Sequence, residues 1–303
     1  MPPCTIIQNP LSVHHDAAGH PESELRMEHI LPALPELREA VTAPFAREED
    51  LIRVHEEEYL TRLEDLSASC PPGAVWHLDP DTYLTSGTWD AARAAAGAAV
   101  TAVSEALQGR PAFALVRPPG HHAGPMYGMG FCLINNAAVA AAYAVEQGSR
   151  VAIIDWDVHH GNGTQHIFYD SDRVLYCSVH RSPFFPGTGR PDETGTGAGE
   201  GFTVNIPLPR GSGNTQYLRV MDEIILPETI AFDPDLVIIS AGQDALADDV
   251  LGGMRLSPEI FGTFTERVCS VARNPPALVL EGGYGRSHGL AIREILTVLE
   301  AWE

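Results

Sequence analysis

Short apolar runs punctuate the chain, and stretches of helical period lie between most of them. The runs fall at 113–116, 151–154, 174–178, 202–206, 236–240 and 277–280. Most are apolar without strict alternation, the pattern of strands buried on both faces of a parallel sheet. The helical stretches fall at 89–107, 135–147, 217–230, 258–272 and 290–302. Strand–helix alternation predicts an α/β fold, a central and mostly parallel sheet flanked by helices on both faces. No repeat or low-complexity linker divides the chain, so one domain over 1–303 is expected. Gly- and Pro-rich segments at 117–130, 182–201 and 281–289 follow strands and read as loops that build a site. The polar stretches 10–25 and 68–82 read as loops of its rim.

Composition narrows the partners. The 303 residues are 44% hydrophobic, enough for one large core. Acidic residues outnumber basic ones 40 to 19, a formal charge of −21, which argues against nucleic acid or an anionic membrane as partner. All 19 basic residues are Arg, so the chain itself carries no lysine to be acylated. The five cysteines are scattered, odd in number and without C-x-x-C spacing, which fits a reducing compartment and neither a disulfide framework nor a cysteine metal site. The N-terminal stretch has no basic segment leading into a long apolar one, and no apolar run is long enough to span a membrane, so a cytoplasmic location is expected.

Four loops carry candidate chemistry, and each follows a strand-like run, so all four can meet at one edge of the sheet. Val151-Ala-Ile-Ile-Asp-Trp-Asp-Val-His-His-Gly-Asn162 ends an apolar run in Asp155, Asp157, His159 and His160. Continued as a strand, it would point Asp157 and His159 the same way, an oxygen and a nitrogen that suit Zn²⁺. Arg117-Pro-Pro-Gly-His-His-Ala123 sets two histidines after a rigid turn, where a neutral imidazole can serve as a base near pH 7. Ser240-Ala-Gly-Gln-Asp-Ala-Leu246 puts Asp244 just past a buried strand, where it is a helix cap, a paired carboxylate or a metal ligand. Glu281-Gly-Gly-Tyr-Gly285 lets the backbone approach a ligand closely and offers the phenol of Tyr284.

In this order the four loops resemble the zinc-dependent histone deacetylase superfamily, most closely its class II members and the bacterial histone deacetylase-like and acetylpolyamine amidohydrolases. The resemblance extends to His20-Pro-Glu-Ser-Glu-Leu-Arg26, Asp81-Thr-Tyr-Leu-Thr-Ser-Gly-Thr-Trp89 and Gly130-Phe-Cys-Leu-Ile-Asn-Asn136 and so covers nearly the whole chain. It implies a single-domain arginase/deacetylase-like fold and one Zn²⁺ held by Asp157, His159 and Asp244. It implies that His122 is the general base, that His121 stays largely protonated, and that Tyr284 stabilises the oxyanion. Asp155 would orient His121. Asn162, where class I members have Asp, would orient His122 without adding charge and leave it the weaker base. The resemblance also implies K⁺ near Asp155 and Ser178 and the backbone of Asp157, His159 and Val179. A second K⁺ would lie near Phe168, Ser171, Val174 and Phe202. Phe131 and Phe185 would wall the substrate tunnel, with Gly130 and Leu251 beside them. His160 and His180 are expected to be satisfied, non-catalytic histidines.

The implied activity is hydrolysis of N-acyl amides, above all ε-N-acyl-lysine in a peptide or protein. The alternative substrate is an acetylpolyamine or another small N-acyl amine. Leu251 argues for the first, because a polyamine-selective branch carries Glu there. Gln243, in place of a common Phe, departs from the family without removing a ligand. A dinuclear ureohydrolase-like centre would need further carboxylates, and Gly161 stands where one belongs. A silent acyl-ligand binding module would not need the full set of site residues. Assembly into a homo-oligomer is compatible with the sequence.

Overall fold

Eight strands hydrogen-bond into one sheet in a computed structural model that describes residues 4–34 and 40–302. Residues 1–3, part of the N-terminal stretch considered above, and residue 303 lie outside the described residues. The strands in chain order are β1 (Thr5–Gln8), β2 (Val41–Thr42), β3 (Trp76–His77), β4 (Tyr83–Leu84), β5 (Ala112–Leu115), β6 (Val151–Asp155), β7 (Val174–Arg181), β8 (Thr203–Leu208), β9 (Leu236–Ala241) and β10 (Ala277–Leu280). The helices are α1 (Leu25–Ile30), α2 (Glu48–Leu51), α3 (Glu57–Ser69), α4 (Thr88–Leu107), α5 (Asn136–Glu146), α6 (Asn162–Phe168), α7 (Asn214–Val220), α8 (Leu226–Phe232), α9 (Glu259–Cys269) and α10 (His288–Glu300). The sheet runs β2-β1-β5-β10-β9-β6-β7-β8, and every pairing in it is parallel.

Alternate strand residues face opposite layers, and the core divides accordingly. Ala112, Ala114, Val151, Ile153, Ile238 and Val279 pack with α3, α4 and α5 on one face. Phe113, Leu115, Ala152, Ile154, Ile239 and Leu278 pack with α9 and α10 on the other. Both faces are covered, as a parallel sheet requires. The register aligns Asp155 with Ser178 on one side and Ser240 on the other, so the loops that leave β6 and β9 start at nearly one level while β7 runs on to Arg181.

All six expected strands form, and the predicted helices fall within a few residues of their places. The stretch 217–230 is not one α-helix: a π-helical turn over Met221–Ile225 separates α7 from α8. The 68–82 loop carries β3, which pairs antiparallel with β4. β1 and β2 and the helices α1, α2, α3 and α6 have no counterpart among the expectations. In α3 charge masks a short apolar stripe, Tyr59, Leu60 and Leu63, that is buried. Among the described residues no helix is long and apolar enough to cross a membrane.

A buried ion network ties the N-terminal segment beneath the site. Arg117 is fully buried and donates to Glu22 Oε1 at 2.6 Å, Glu24 Oε2 at 2.8 Å and the His15 carbonyl at 2.9 Å. Arg26 pairs with the same Glu22 and donates to the Gly283 carbonyl at 2.9 Å and to that of Glu281. Burial opposes ionisation of Glu22, but Arg117 and Arg26 outweigh it and hold the carboxyl below its ordinary value. A depressed carboxyl stabilises the fold above its unfolded pKa and loses that contribution as pH falls through its folded one. Glu22→Gln takes from buried Arg26 its paired carboxylate and leaves buried Arg117 with Glu24 alone, and is expected to cost about 3–5 kcal/mol in urea unfolding near neutral pH, with the difference from wild type shrinking in acid. A loss under about 1 kcal/mol would show that the network is not what anchors this segment.

Candidate active site

Strand β6 ends at Asp155, so Asp157 and His159 stand in the turn beyond it rather than on the strand. The turn, not strand alternation, makes them converge. His159 Nδ1 lies 3.1 Å from Asp157 Oδ1 and 3.0 Å from Asp244 Oδ2. One donor atom from each of the three lies within 4.8 Å of the others. Their remaining oxygens are held by backbone: Gly282 N–H donates to Asp157 Oδ2 and Val158 N–H to Asp244 Oδ1, both at 2.8 Å. Glycine lets this backbone come so near, because a Cβ at 282 would sit 2.5 Å from Asp244 Oδ2 and 2.6 Å from Asp157 Oδ2. Asp244 is thus a convergent carboxylate of the cluster, beyond the helix-cap alternative.

The three groups of the trio strongly perturb one another. Burial opposes charge on Asp157, but His121 and His159 outweigh it and hold its carboxyl well below the ordinary range. Burial, together with the charge on Asp157, pushes Asp244 up to about 7. Burial also opposes protonation of His159, yet the two carboxylates push it up to about 9. Two buried carboxylates and one imidazole fit a zinc-type donor set with a position left open. Of a second convergent trio, His121, Cys132 and Glu281, the thiol is pushed well up by burial and stays protonated, and Glu281 is occupied with backbone.

Two adjacent imidazoles meet different partners. His121 Nδ1 donates to Asp155 Oδ2 at 3.0 Å, an oxygen that also accepts from the Tyr176 hydroxyl at 2.9 Å. Burial works against charge on His121, but Asp157 and Asp155 prevail and push it up to about 10. His122 Nδ1 instead faces the neutral amide oxygen of Asn162 at 2.8 Å. Burial, with the positive charges of His121 and His159, holds His122 well below its ordinary value. The loop that carries both is set by Glu281, whose Oε2 accepts from Gly120 N–H at 2.7 Å and His121 N–H at 3.1 Å.

Asp157, His159, Asp244 and the two imidazoles line a cavity of about 340 Å³ with Gly130, Phe131, Phe184, Phe185, Leu251 and Tyr284 among its walls. Phe131 adopts φ 71°, a left-handed backbone that costs a non-glycine residue about 1–3 kcal/mol and persists only where the surrounding structure holds it. Desolvation pushes the Tyr284 phenol well up, so it stays a hydrogen-bond donor. The Tyr284 N–H donates to Asp249 Oδ2 at 2.6 Å, and Asp249 Oδ1 accepts from the N–H groups of Leu251 and Gly252 at 2.8 and 3.0 Å. One buried carboxylate thus joins the tyrosine loop to the segment that carries Leu251.

Every expected catalytic, metal and tunnel residue comes together here. Ser178 aligns with Asp155 and bonds His180 Nδ1 at 2.9 Å, with Val179 next along β7. Phe168, Ser171, Val174 and Phe202 gather elsewhere, at the opposite end of β7: the Phe168 carbonyl accepts from Ser171 N–H at 3.0 Å, and Val174 pairs with Val151 at the start of β6. His160 bonds Thr188 at 2.7 Å and Gln165 at 2.9 Å, and His180 bonds Ser178 and the Gly189 carbonyl, so both are satisfied. Burial lowers them to about 3 and about 4, which keeps them neutral. Gln243 accepts from His288 Nε2 at 2.7 Å, a buried polar pair next to the cluster.

Phe184, Asp249 and the carboxylate of Glu281 escaped the sequence reading. Phe184 stacks on His159 with centroids 4.9 Å apart, but nothing in Pro183-Phe-Phe-Pro186 tells that both rings turn inward. Asp249 and Glu281 act on backbone N–H groups, which leave no pattern in side-chain types.

Residues 20–298 match the histone deacetylase domain family. A probable deacetylase of Archaeoglobus fulgidus is 43% identical over 285 residues, 89% of this chain and 78% of that protein. A histone deacetylase-like amidohydrolase of Pseudomonas aeruginosa is 39% identical over 299 residues, 93% of this chain and 78% of that protein. Histone deacetylase 15 of Arabidopsis thaliana is 39% identical across 93% of this chain, which spans about half (53%) of that longer protein. The crystal structure of the HDA15 HD domain superimposes with a TM-score of 0.92 at 36% identity, covering 98% of this chain and 89% of that one.

The three-donor cluster should bind zinc in the folded state alone, so zinc added to metal-stripped protein is expected to raise its melting temperature. Asp244→Ala should abolish that rise. A zinc-dependent shift that survives the substitution would place the ion elsewhere.

Proposed function

The chain belongs to the histone deacetylase family, and from that premise we propose that it is a zinc-dependent deacylase acting on N-acyl amines, above all ε-N-acyl-lysine. The observation that carries this reading is the contrast between two neighbouring imidazoles, His121 on the carboxylate of Asp155 and His122 on the neutral amide of Asn162. Pairs of titratable groups pushed apart by their surroundings divide acid and base roles.

Asp157, His159 and Asp244 would hold the ion, which when bound would polarise the substrate carbonyl and acidify water. His122 takes the proton of the attacking water at Nε2, the nitrogen left free by its bond to Asn162, and returns it to the amine nitrogen as the C–N bond breaks. His121 stays protonated and stabilises the negative charge that develops. Tyr284, kept protonated by desolvation, donates its O–H to the carbonyl oxygen as it becomes an oxyanion. Phe131, Phe184, Phe185 and Leu251 exclude water from an extended apolar stem. Asp155 and Ser178 are assigned to a K⁺ ion together with the carbonyls of Asp157, His159 and Val179, since burial pushes the Asp155 carboxyl up and a monovalent cation would offset that. A second K⁺ is assigned to the region of Phe168, Ser171, Val174 and Phe202. We place the reaction in the cytoplasm.

Asp81 lines the same cavity and suits the further ammonium of an acetylpolyamine, the competing substrate. A panel of acyl-lysine peptides run beside acetylspermidine separates the two. The lysine assignment predicts higher kcat/KM for a peptide, and a hundredfold preference for the polyamine would overturn it. Tyr284→Phe is expected to retain zinc and lose on the order of 10²-fold or more in kcat, the scale of one oxyanion donor. Near-normal turnover in that variant would remove the tyrosine from the mechanism.

A further inference from the structure

An asparagine amide has two nearly isosteric ends with opposite hydrogen-bonding character. Asn162 presents its oxygen to His122 Nδ1. With an oxygen there, Nδ1 must carry the ring proton, and Nε2 keeps the lone pair a base needs. Turned over, the amide would present NH₂, Nδ1 would have to accept, and the proton would move to Nε2. A carboxylate in this place has no wrong way round. An amide needs something on its far side to tell its ends apart.

Asn162 Nδ2 donates to the Tyr127 hydroxyl at 3.3 Å and points at Met129 Sδ at 3.5 Å. A thioether is a weak acceptor, so the phenol oxygen is the stronger of the two. The Tyr127 hydroxyl also lies 3.3 Å from Nδ1 of exposed His166, and the two rings stack with centroids 6.0 Å apart. When the hydroxyl donates to that nitrogen, its lone pairs turn toward Asn162. A tight turn delivers the ring: Gly124 N–H donates to the Tyr127 carbonyl at 2.9 Å. A Cβ at 124 would lie 2.3 Å from the Tyr127 ring, so the turn closes around the phenol only with glycine there. Tyr127 is not among the residues lining the cavity.

We propose that Tyr127 is a positioning residue whose hydroxyl fixes the orientation of the Asn162 amide and, through it, the tautomer of His122. The role rests on the deacylase reading of the site. Tyr127 acts on the base without touching substrate, and its effect belongs to the amide version of the site.

The test compares wild type, Tyr127→Phe, Asn162→Asp and the double variant on an acetyl-lysine peptide. Tyr127→Phe is expected to lower kcat about tenfold, the scale of one neutral hydrogen bond, with KM and zinc content little changed. The double variant should match Asn162→Asp to within about twofold, because a carboxylate accepts from Nδ1 in either orientation. Wild-type kcat in Tyr127→Phe, or the same tenfold drop when Tyr127→Phe is added to Asn162→Asp, overturns the proposal. ¹⁵N NMR of the His122 ring reads the tautomer without turnover. Nδ1–H in wild type and a mixture in Tyr127→Phe support the role; an unchanged tautomer refutes it. Wild-type silence on every acyl amine would refute the deacylase reading instead, and the NMR comparison would still decide the role of Tyr127.

Discussion

Asp155, Asp157, Asp244 and Glu281 are all fully buried at one edge of the sheet, and the cost of keeping four carboxylates out of water shapes everything around them. Each is compensated in its own way. Asp155 takes the His121 ring and the Tyr176 hydroxyl. Glu281 takes two backbone N–H groups of the histidine loop. Asp157 accepts the N–H groups of Gly282 and His159, Asp244 accepts that of Val158, and the two share the His159 ring, so two buried carboxylates converge on one imidazole. That convergence makes the trio a candidate place for a divalent cation. Burial alone would push all four carboxyls up, so a centre of this kind exists only where the fold supplies the donors.

The parallel sheet supplies them by geometry. Strands β6, β9 and β10 lie side by side and release their chains at nearly one level, so three loops reach one point without long excursions. The other walls come from the loop after β5 and the Phe184–Phe185 segment after β7. Beneath them the Glu22–Arg26–Arg117 network joins the N-terminal segment to the carbonyls of Glu281 and Gly283. Stability and function thus share residues: the ions that anchor the floor also hold the loop that presents Tyr284. The two imidazoles then differ through partners one bond away, a carboxylate for His121 and an amide for His122.

The sheet was legible because buried parallel strands are nearly pure apolar runs, and the site because its side chains follow those runs directly. What stayed hidden has physical reasons. β1 and β2 are short, and α3 conceals its stripe among charges. The D-x-H pair reads as strand alternation, yet β6 stops two residues sooner and a turn does the aligning. The Tyr127 hydroxyl, Phe184 and Asp249 act through geometry that residue type does not encode: which way an amide faces, whether both of two neighbouring phenyl rings turn inward, which N–H a carboxylate meets. The roles assigned to His121, His122 and Tyr284 come only from motif resemblance, since a His pair or a Gly-flanked Tyr is common by itself.

Zinc titration into metal-stripped protein, with hydrolysis of an acetyl-lysine peptide followed throughout, tests the centre of this account most directly. Three protein donors and one open position predict an initial rate that climbs in proportion to added zinc and stops at one ion per chain. A rate that ignores zinc, or that keeps climbing to two ions per chain, would contradict it.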